Sequence, residues 1–324
     1  MSQYSFSLKP GLISLLSGLL IIITGCRPND SILITAHDEA VMSVGFSQNG
    51  RYLVTGSTDG TARVFDSENS WEMVCELMAH SSWVYQAEFM PGDNQIVTAS
   101  FDGNLKMWSF PLCEETGIFG GHTDRVRAVS VHPDGTGFVS CGWDSTFIRW
   151  NSETTEVLFR VHGHDEKICD LTLSPDGSVI ATASRDNLVS LWDMETGLHI
   201  ASMTGHTGDL KGVRYSTDGR YIASTGFDST VIIWDAGSRR AKHILKRHTD
   251  QLFAVAFSPD GATLASGGND GRIILWDVLT GKIVNIFIPG SGIRKLSYSP
   301  DGNYLAAACT DGSVRIYTFT ALEK

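Results

Sequence analysis

Histidine, hydroxyl and carboxylate side chains recur together along this chain, and that trio is the raw material of nucleophilic hydrolysis. In such a site an imidazole takes the proton of a serine hydroxyl while a carboxylate orients the ring. His122, Ser140 and Asp144 would make one such set. The spacing speaks against this chemistry. Histidines fall at His37, His80, His122, His164, His206 and His248, in steps of 43, 42, 42, 42 and 42. Each is followed 22 residues later by an aspartate: Asp59, Asp102, Asp144, Asp186, Asp228 and Asp270. A triad needs one exposed nucleophile and an oxyanion hole, and nothing marks out one copy from the rest. His162-Gly163-His164 suggests a metal pair, but His164 already belongs to the periodic set and no further ligand cluster accompanies it. A phosphate loop of the G-x-x-x-x-G-K type is also missing. No enzyme, metal or cofactor is expected from these residues.

What positions them is a repeat. One further step of 42 lands on Gly290, where the histidine is missing, and the seventh aspartate is Asp311. Six residues beyond each aspartate stands an aromatic: Phe65, Trp108, Trp150, Trp192, Trp234, Trp276 and Tyr317. Between these marks the pattern is strand-like. AVAFSPDGATLASGGNDGRIILWD (254–277) alternates, turns at SPDG, alternates again, turns at NDG and runs out through IILWD. A fourth strand such as KIVNIF (282–287) follows. Abundant glycine (33) and tryptophan (8) suit many short strands joined by tight turns.

A period near 42 with four strands and a GH…WD signature resembles the WD40 repeat family. The resemblance spans seven copies and implies an all-β, seven-bladed propeller. It also implies a buried hydrogen-bonded tetrad in each complete unit, running indole to hydroxyl to imidazole to carboxylate. The five complete sets are His80, Thr98, Asp102 and Trp108; His122, Ser140, Asp144 and Trp150; His164, Thr182, Asp186 and Trp192; His206, Ser224, Asp228 and Trp234; and His248, Ser266, Asp270 and Trp276. Unit one has Phe65 in place of the indole. Unit seven has Gly290, Ala307 and Tyr317, so only Asp311 survives. These two blades are expected to be the least rigid. SILIT (31–35) precedes His37 as the outer strands precede the other histidines. It is expected to close the ring on the third strand of the last blade, near Val314–Tyr317, hiding strand edges that would otherwise pair with other chains.

The residues before SILIT read as a targeting segment. Lys9 is the only charge in the first 25 residues, and Gly11–Ile23 is apolar apart from two serines. That stretch is short for a membrane span. Ile23-Thr24-Gly25-Cys26 resembles the lipobox of bacterial lipoproteins. The resemblance implies a signal peptide over 1–25, a lipidated Cys26 with a short tether over 26–30, and a propeller over 31–324. Arg27 implies the outer membrane, on its periplasmic side, in a cell that has one. A secreted, soluble periplasmic form without lipid and an uncleaved anchor are the alternatives. The tether reaches at most about 14 Å, and it should hold the bottom rim near the membrane and leave the histidine face free.

On that free face, family resemblance places the residues flanking the start of each inner strand and the residue before each turn aspartate. Six of these are basic (Arg125, Arg127, Lys167, Arg185, Lys211, Arg294), six are large aromatics (Trp83, Tyr85, Phe101, Trp143, Phe227, Phe253) and one is acidic, Asp209. The opposite loops carry Asp134, Asp176, Asp218, Asp260 and Asp301 in turn positions. Exposed aromatics beside arginines are the stuff of binding hot spots. Trp83, Tyr85, Phe101, Arg125, Arg127 and Trp143 are therefore expected to form the centre of a partner site, continued by Arg185, Lys211, Phe227 and Phe253. Its natural complement is an anionic or mixed peptide. A formal net charge of −11 argues against nucleic acid. The leading expectation is a non-catalytic scaffold tethered to the cell envelope, and the alternative is a small-ligand or glycan sensor at the channel mouth. Besides Cys26 there are five cysteines, Cys75, Cys113, Cys141, Cys169 and Cys309, at different repeat positions. They are expected to be mostly buried free thiols, with Cys169 exposed on the rim.

Overall fold

A computed structural model describes residues 31–319. The proposed leader, Cys26 and the tether over 26–30 lie outside the described residues. Twenty-eight strands form seven four-stranded antiparallel sheets, with one short 3₁₀ turn, Ser67–Asn69. Each sheet is a blade of a seven-bladed propeller. No helix among the described residues is long and apolar enough to cross a membrane.

The turn chemistry explains the blade. In the SPDG loop of blade six, Ser258 Oγ donates to Asp260, and the Thr263 amide donates back to that hydroxyl. Gly261 sits at φ +68, where a side chain would be strained. In every blade the inner strand also carries a register shift between its first and third residues, as between Val126 and Ala128. The extra residue of this bulge leaves the ladder. It is Tyr85 in blade two, Arg127 in blade three and Arg294 in blade seven.

The core is divided into seven apolar clusters, one in each gap between neighbouring blades. Trp150 is a typical member, edge-on to Phe119 at 5.7 Å between centroids. The ring is closed by the N-terminal strand Ile32–Thr35, which pairs with Ser313–Thr318 in the register Ile32↔Ile316 and Ile34↔Val314. The Ala36 and His37 amides both reach the Gly312 carbonyl. Trp71 plugs this seam, edge-on to Phe46 at 6.2 Å and to Tyr304 at 5.6 Å. It adds an indole to the blade that lacks one at Phe65.

The cysteines correct the sequence reading in part. Cys75 and Cys113 form a disulfide; Cys141, Cys169 and Cys309 are buried free thiols. Cys75 lies on the outer strand Glu72–Leu77 of blade one, and Cys113 lies in the loop before the outer strand Glu115–Gly120 of blade two. The bridge thus joins two blades. Ring geometry carries a loop of one blade across the edge of its predecessor, a proximity that spacing along the chain does not express. Cys169 is not on the surface, because Lys211 Nζ covers its sulfur at 3.5 Å.

Candidate functional site

The tetrads are structural. In blade three Trp150 Nε1 donates to Ser140 Oγ at 2.8 Å, and Ser140 Oγ lies 2.8 Å from His122 Nε2. His122 Nδ1 lies 2.9 Å from Asp144. An ionised carboxylate only accepts, so Nδ1 carries the proton and Nε2 takes the serine hydroxyl hydrogen. The same chain occurs at Trp108–Thr98–His80–Asp102, Trp192–Thr182–His164–Asp186, Trp234–Ser224–His206–Asp228 and Trp276–Ser266–His248–Asp270. In blade one His37 keeps Thr55 and Asp59. Blade seven replaces the set with a contact between the Ser291 and Thr310 hydroxyls, and with Phe287 stacked on Tyr317 at 4.3 Å. Every tetrad hydroxyl is buried and already shared by two neighbours, so none is an available nucleophile. Among the described residues no group of three or more histidines, cysteines or acids could hold a metal.

The tetrads hold up the histidine face. There the backbone joins the two rim positions of each blade. The amides of Phe101, Trp143, Arg185 and Phe227 donate to the carbonyls of Trp83, Arg125, Lys167 and Asp209. This pairing sets Trp83 on Phe101 at 5.0 Å, and Phe101 lies 6.1 Å from Trp143 in the next blade. The Arg125 guanidinium stacks over both rings, at 3.4 Å from the Phe101 centroid and 4.4 Å from that of Trp143. Lys167 at 4.2 Å and Arg185 at 5.3 Å also ring the Trp143 indole. A second group lies across the channel mouth. Phe227 and Phe253 meet edge-on at 5.6 Å, with Lys211 over Phe227 and Arg294 over Phe253.

Exposure within this cluster is uneven. Trp83 is 42% exposed, whereas Tyr85 and Lys211, expected on the surface, are only 6% exposed. Tyr85 stacks on Phe101 at 5.8 Å and lies under the Arg127 guanidinium at 4.2 Å. Burial raises the Tyr85 phenol and lowers the Lys211 ammonium from their ordinary pKa values. These two residues lie beneath the surface; the accessible layer is Trp83, Phe101, Arg125, Arg127, Trp143, Lys167, Arg185, Phe227, Phe253 and Arg294.

Charge on this face is unbalanced. Asp209 lies 3.3 Å from Arg185 and 3.5 Å from Lys211, and Asp124 lies 4.0 Å from Arg125. Among the described residues no carboxylate lies within ion-pair reach of Arg127, Lys167 or Arg294. The Trp143 indole N–H is buried with no acceptor. Lys167 and Arg294 stand at rim positions in the sequence; what singles them out is their ring contacts. A second charged set, Asp170, Arg214 and Lys295, lies deeper in the channel and was missed. Its only sequence signal is that charges stand at the third or fifth residue of some inner strands and not of others.

These features make the molecule a seven-bladed β-propeller. Residues 29–66, 71–109 and 113–151 match the model of the WD domain, G-beta repeat. Residues 167–324 match that of the IFT122 first beta-propeller. The chain is 32% identical to mouse (Mus musculus) jouberin over 100 residues, which is 31% of this chain and 9% of that protein. It is 35% identical to DDB1- and CUL4-associated factor 10 of Xenopus tropicalis over 85 residues, 26% of this chain and 18% of that protein. The matches thus span less than a fifth of the length of these curated relatives.

Proposed function

We propose that this propeller is a non-catalytic scaffold that recruits a protein or peptide partner through its histidine face. One observation carries the reading: aromatic rings and cations share that face, and three of the cations have no carboxylate partner among the described residues. A partner segment bearing acidic side chains would neutralise Arg127, Lys167 and Arg294 while laying apolar surface on Trp83 and Phe101. The relatives are in keeping with this, since one bears association with two other proteins in its name. The site of action we propose is the bacterial cell envelope, with Cys26 lipidated and the face turned away from the membrane. The Cys75–Cys113 bridge favours an oxidising compartment. Mass spectrometry of the mature N-terminus tests the anchor: a diacylglyceryl Cys26 is expected, and a chain beginning elsewhere refutes it.

The face is tested with Trp83→Ala/Arg125→Glu/Trp143→Ala. Affinity capture from the envelope fraction, followed by binding of peptides from whatever is captured, should lose at least tenfold in affinity. Wild-type binding should also weaken as salt rises. Capture unchanged in the triple variant, with its fold intact by circular dichroism, would sink the reading.

A further inference from the structure

Below the aromatic rim the central channel is barred. Lys295, on the inner strand Ile293–Tyr298 of blade seven, reaches across to Asp170 on the inner strand Ile168–Leu173 of blade four. The distance from Nζ to Oδ1 is 3.2 Å. Arg214, on the inner strand Leu210–Tyr215 of blade five, donates from Nη1 to the other oxygen of Asp170 at 2.8 Å, and the Val213 amide donates to it at 3.2 Å. Burial alone would raise Asp170, yet Arg214 and Lys295 outweigh it and hold the carboxyl below its ordinary pKa.

Beside this bar, in the half of the channel away from the histidine loops, lies a cavity of ≈ 240 Å³. Its polar lining comes from Gln86, Glu88, Ser130, Thr172, Arg214 and Lys295. The volume far exceeds what a single water needs. Two cations therefore face the cavity and share one carboxylate. Glu88 is not within ion-pair reach of either; it accepts from Gln86 Nε2 at 3.1 Å. Desolvation raises its pKa to about 7, against the pull of Arg214 and Lys295. With Glu88 protonated, the two cations of the lining exceed the one carboxylate of the bar, Asp170, by a single positive charge. Arg214 and Lys295 remain partly accessible, at 20% and 15% of their side-chain surface.

We infer that this cavity is a binding site for a small oxyanion, a carboxylate or phosphate molecule held between Arg214 and Lys295. Glu88 in its acid form donates a third hydrogen bond. The site is independent of the rim, lies on the other side of the Asp170 bar, and does not rest on the partner reading above. Burial, then Arg214, lowers Lys295 to about 8. A bound anion favours the charged lysine and the protonated glutamate, so binding takes up protons and weakens as pH rises from 6 to 8. The charged groups that set this balance are Arg214 of blade five, Lys295 of blade seven, Asp170 of blade four and Arg127 of blade three. The Val131 amide of blade three and Gln86 on its own strand complete the surroundings of Glu88.

The experiment is isothermal titration with inorganic phosphate and with succinate, at ionic strength held constant with sodium chloride. One-to-one binding of at least one probe is expected; which probe binds tells phosphate from carboxylate. Lys295→Met should weaken it at least tenfold. Glu88→Gln should still bind and should lose part of the pH dependence between 6 and 8. Binding of neither probe above the chloride control overturns the inference, as does equal affinity in a folded Lys295→Met. Should Lys295→Met not fold, the wild-type pH series decides, and a flat profile from pH 6 to 8 overturns it.

Discussion

Replacing Ser140 with alanine tests the tetrads most sharply, because one oxygen satisfies two buried neighbours. The Trp150 indole N–H loses its acceptor at 2.8 Å and His122 Nε2 loses its donor at 2.8 Å. Trp150 is among the largest fully buried side chains, and Ser140 has no exposed surface, so water does not replace the hydroxyl. A buried polar group left unpaired costs about 1–3 kcal/mol, so two neighbours together cost about 2–6 kcal/mol. Trp150→Phe removes the indole N–H itself and leaves Ser140 bonded to His122, with a packing loss against Phe119 and Phe138. In the double variant the indole is no longer stranded, so its cost falls short of the sum by about 1 kcal/mol or more. Urea unfolding of the four proteins, followed by tryptophan fluorescence and far-ultraviolet circular dichroism together, measures this. Alanine at 140 costing under 0.5 kcal/mol, or strictly additive costs, would refute the view that the hydroxyl is the hub of its blade.

Two further outcomes follow from the geometry. Burial alone would raise Asp102 and Asp144, but their histidine hydrogen bonds win and hold both at about 2. Asp186, Asp228 and Asp270 are lowered in the same way, and Asp59, against its burial, is lowered first by the Thr61 hydroxyl and amide and then by His37. A depressed carboxyl stabilises the fold fully above its unfolded value of about 4 and loses that contribution as pH falls toward 2. The urea midpoint should therefore drop steeply below pH 4, and a midpoint unchanged down to pH 3 would contradict the carboxylate–imidazole hydrogen bonds. Removing the inter-blade bridge with Cys75→Ser/Cys113→Ser should cost up to about 4 kcal/mol for a loop of this length; stability identical in oxidised wild type and the double variant would show that the bridge does not form.

The sequence was legible wherever the period alone sets position. SILIT could be assigned to the strand near Val314–Tyr317 because it stands before His37 as the other outer strands stand before theirs, while the register Ile34↔Val314 came only with the structure. Rim positions could be named for the same reason, yet not their depth. Tyr85 and Lys211 occupy the bulge position that Arg127 also occupies, but Phe101 and Phe227 of their own blades, with Arg127 and Cys169 of the neighbouring blades, cover them. Neighbours across the ring are invisible to a period. Lys295 meets Asp170 because seven wedges close on one axis, and Cys113 meets Cys75 because a loop overhangs the blade before it. Blade seven lacks its tetrad, and Phe287 on Tyr317 gives it an apolar brace that motif counting overlooks.

The clasp between Ile32–Thr35 and Ser313–Thr318 has a consequence for synthesis. One half of it leaves the ribosome among the earliest parts of the propeller and the other among the latest. Until the final strand emerges, Ile32 and Leu33 wait without a mate, and six wedges stand as an open arc with two sticky ends. A chaperone that shields those ends during synthesis, or delivery of the chain unfolded to its destination, would keep nascent copies from clasping one another.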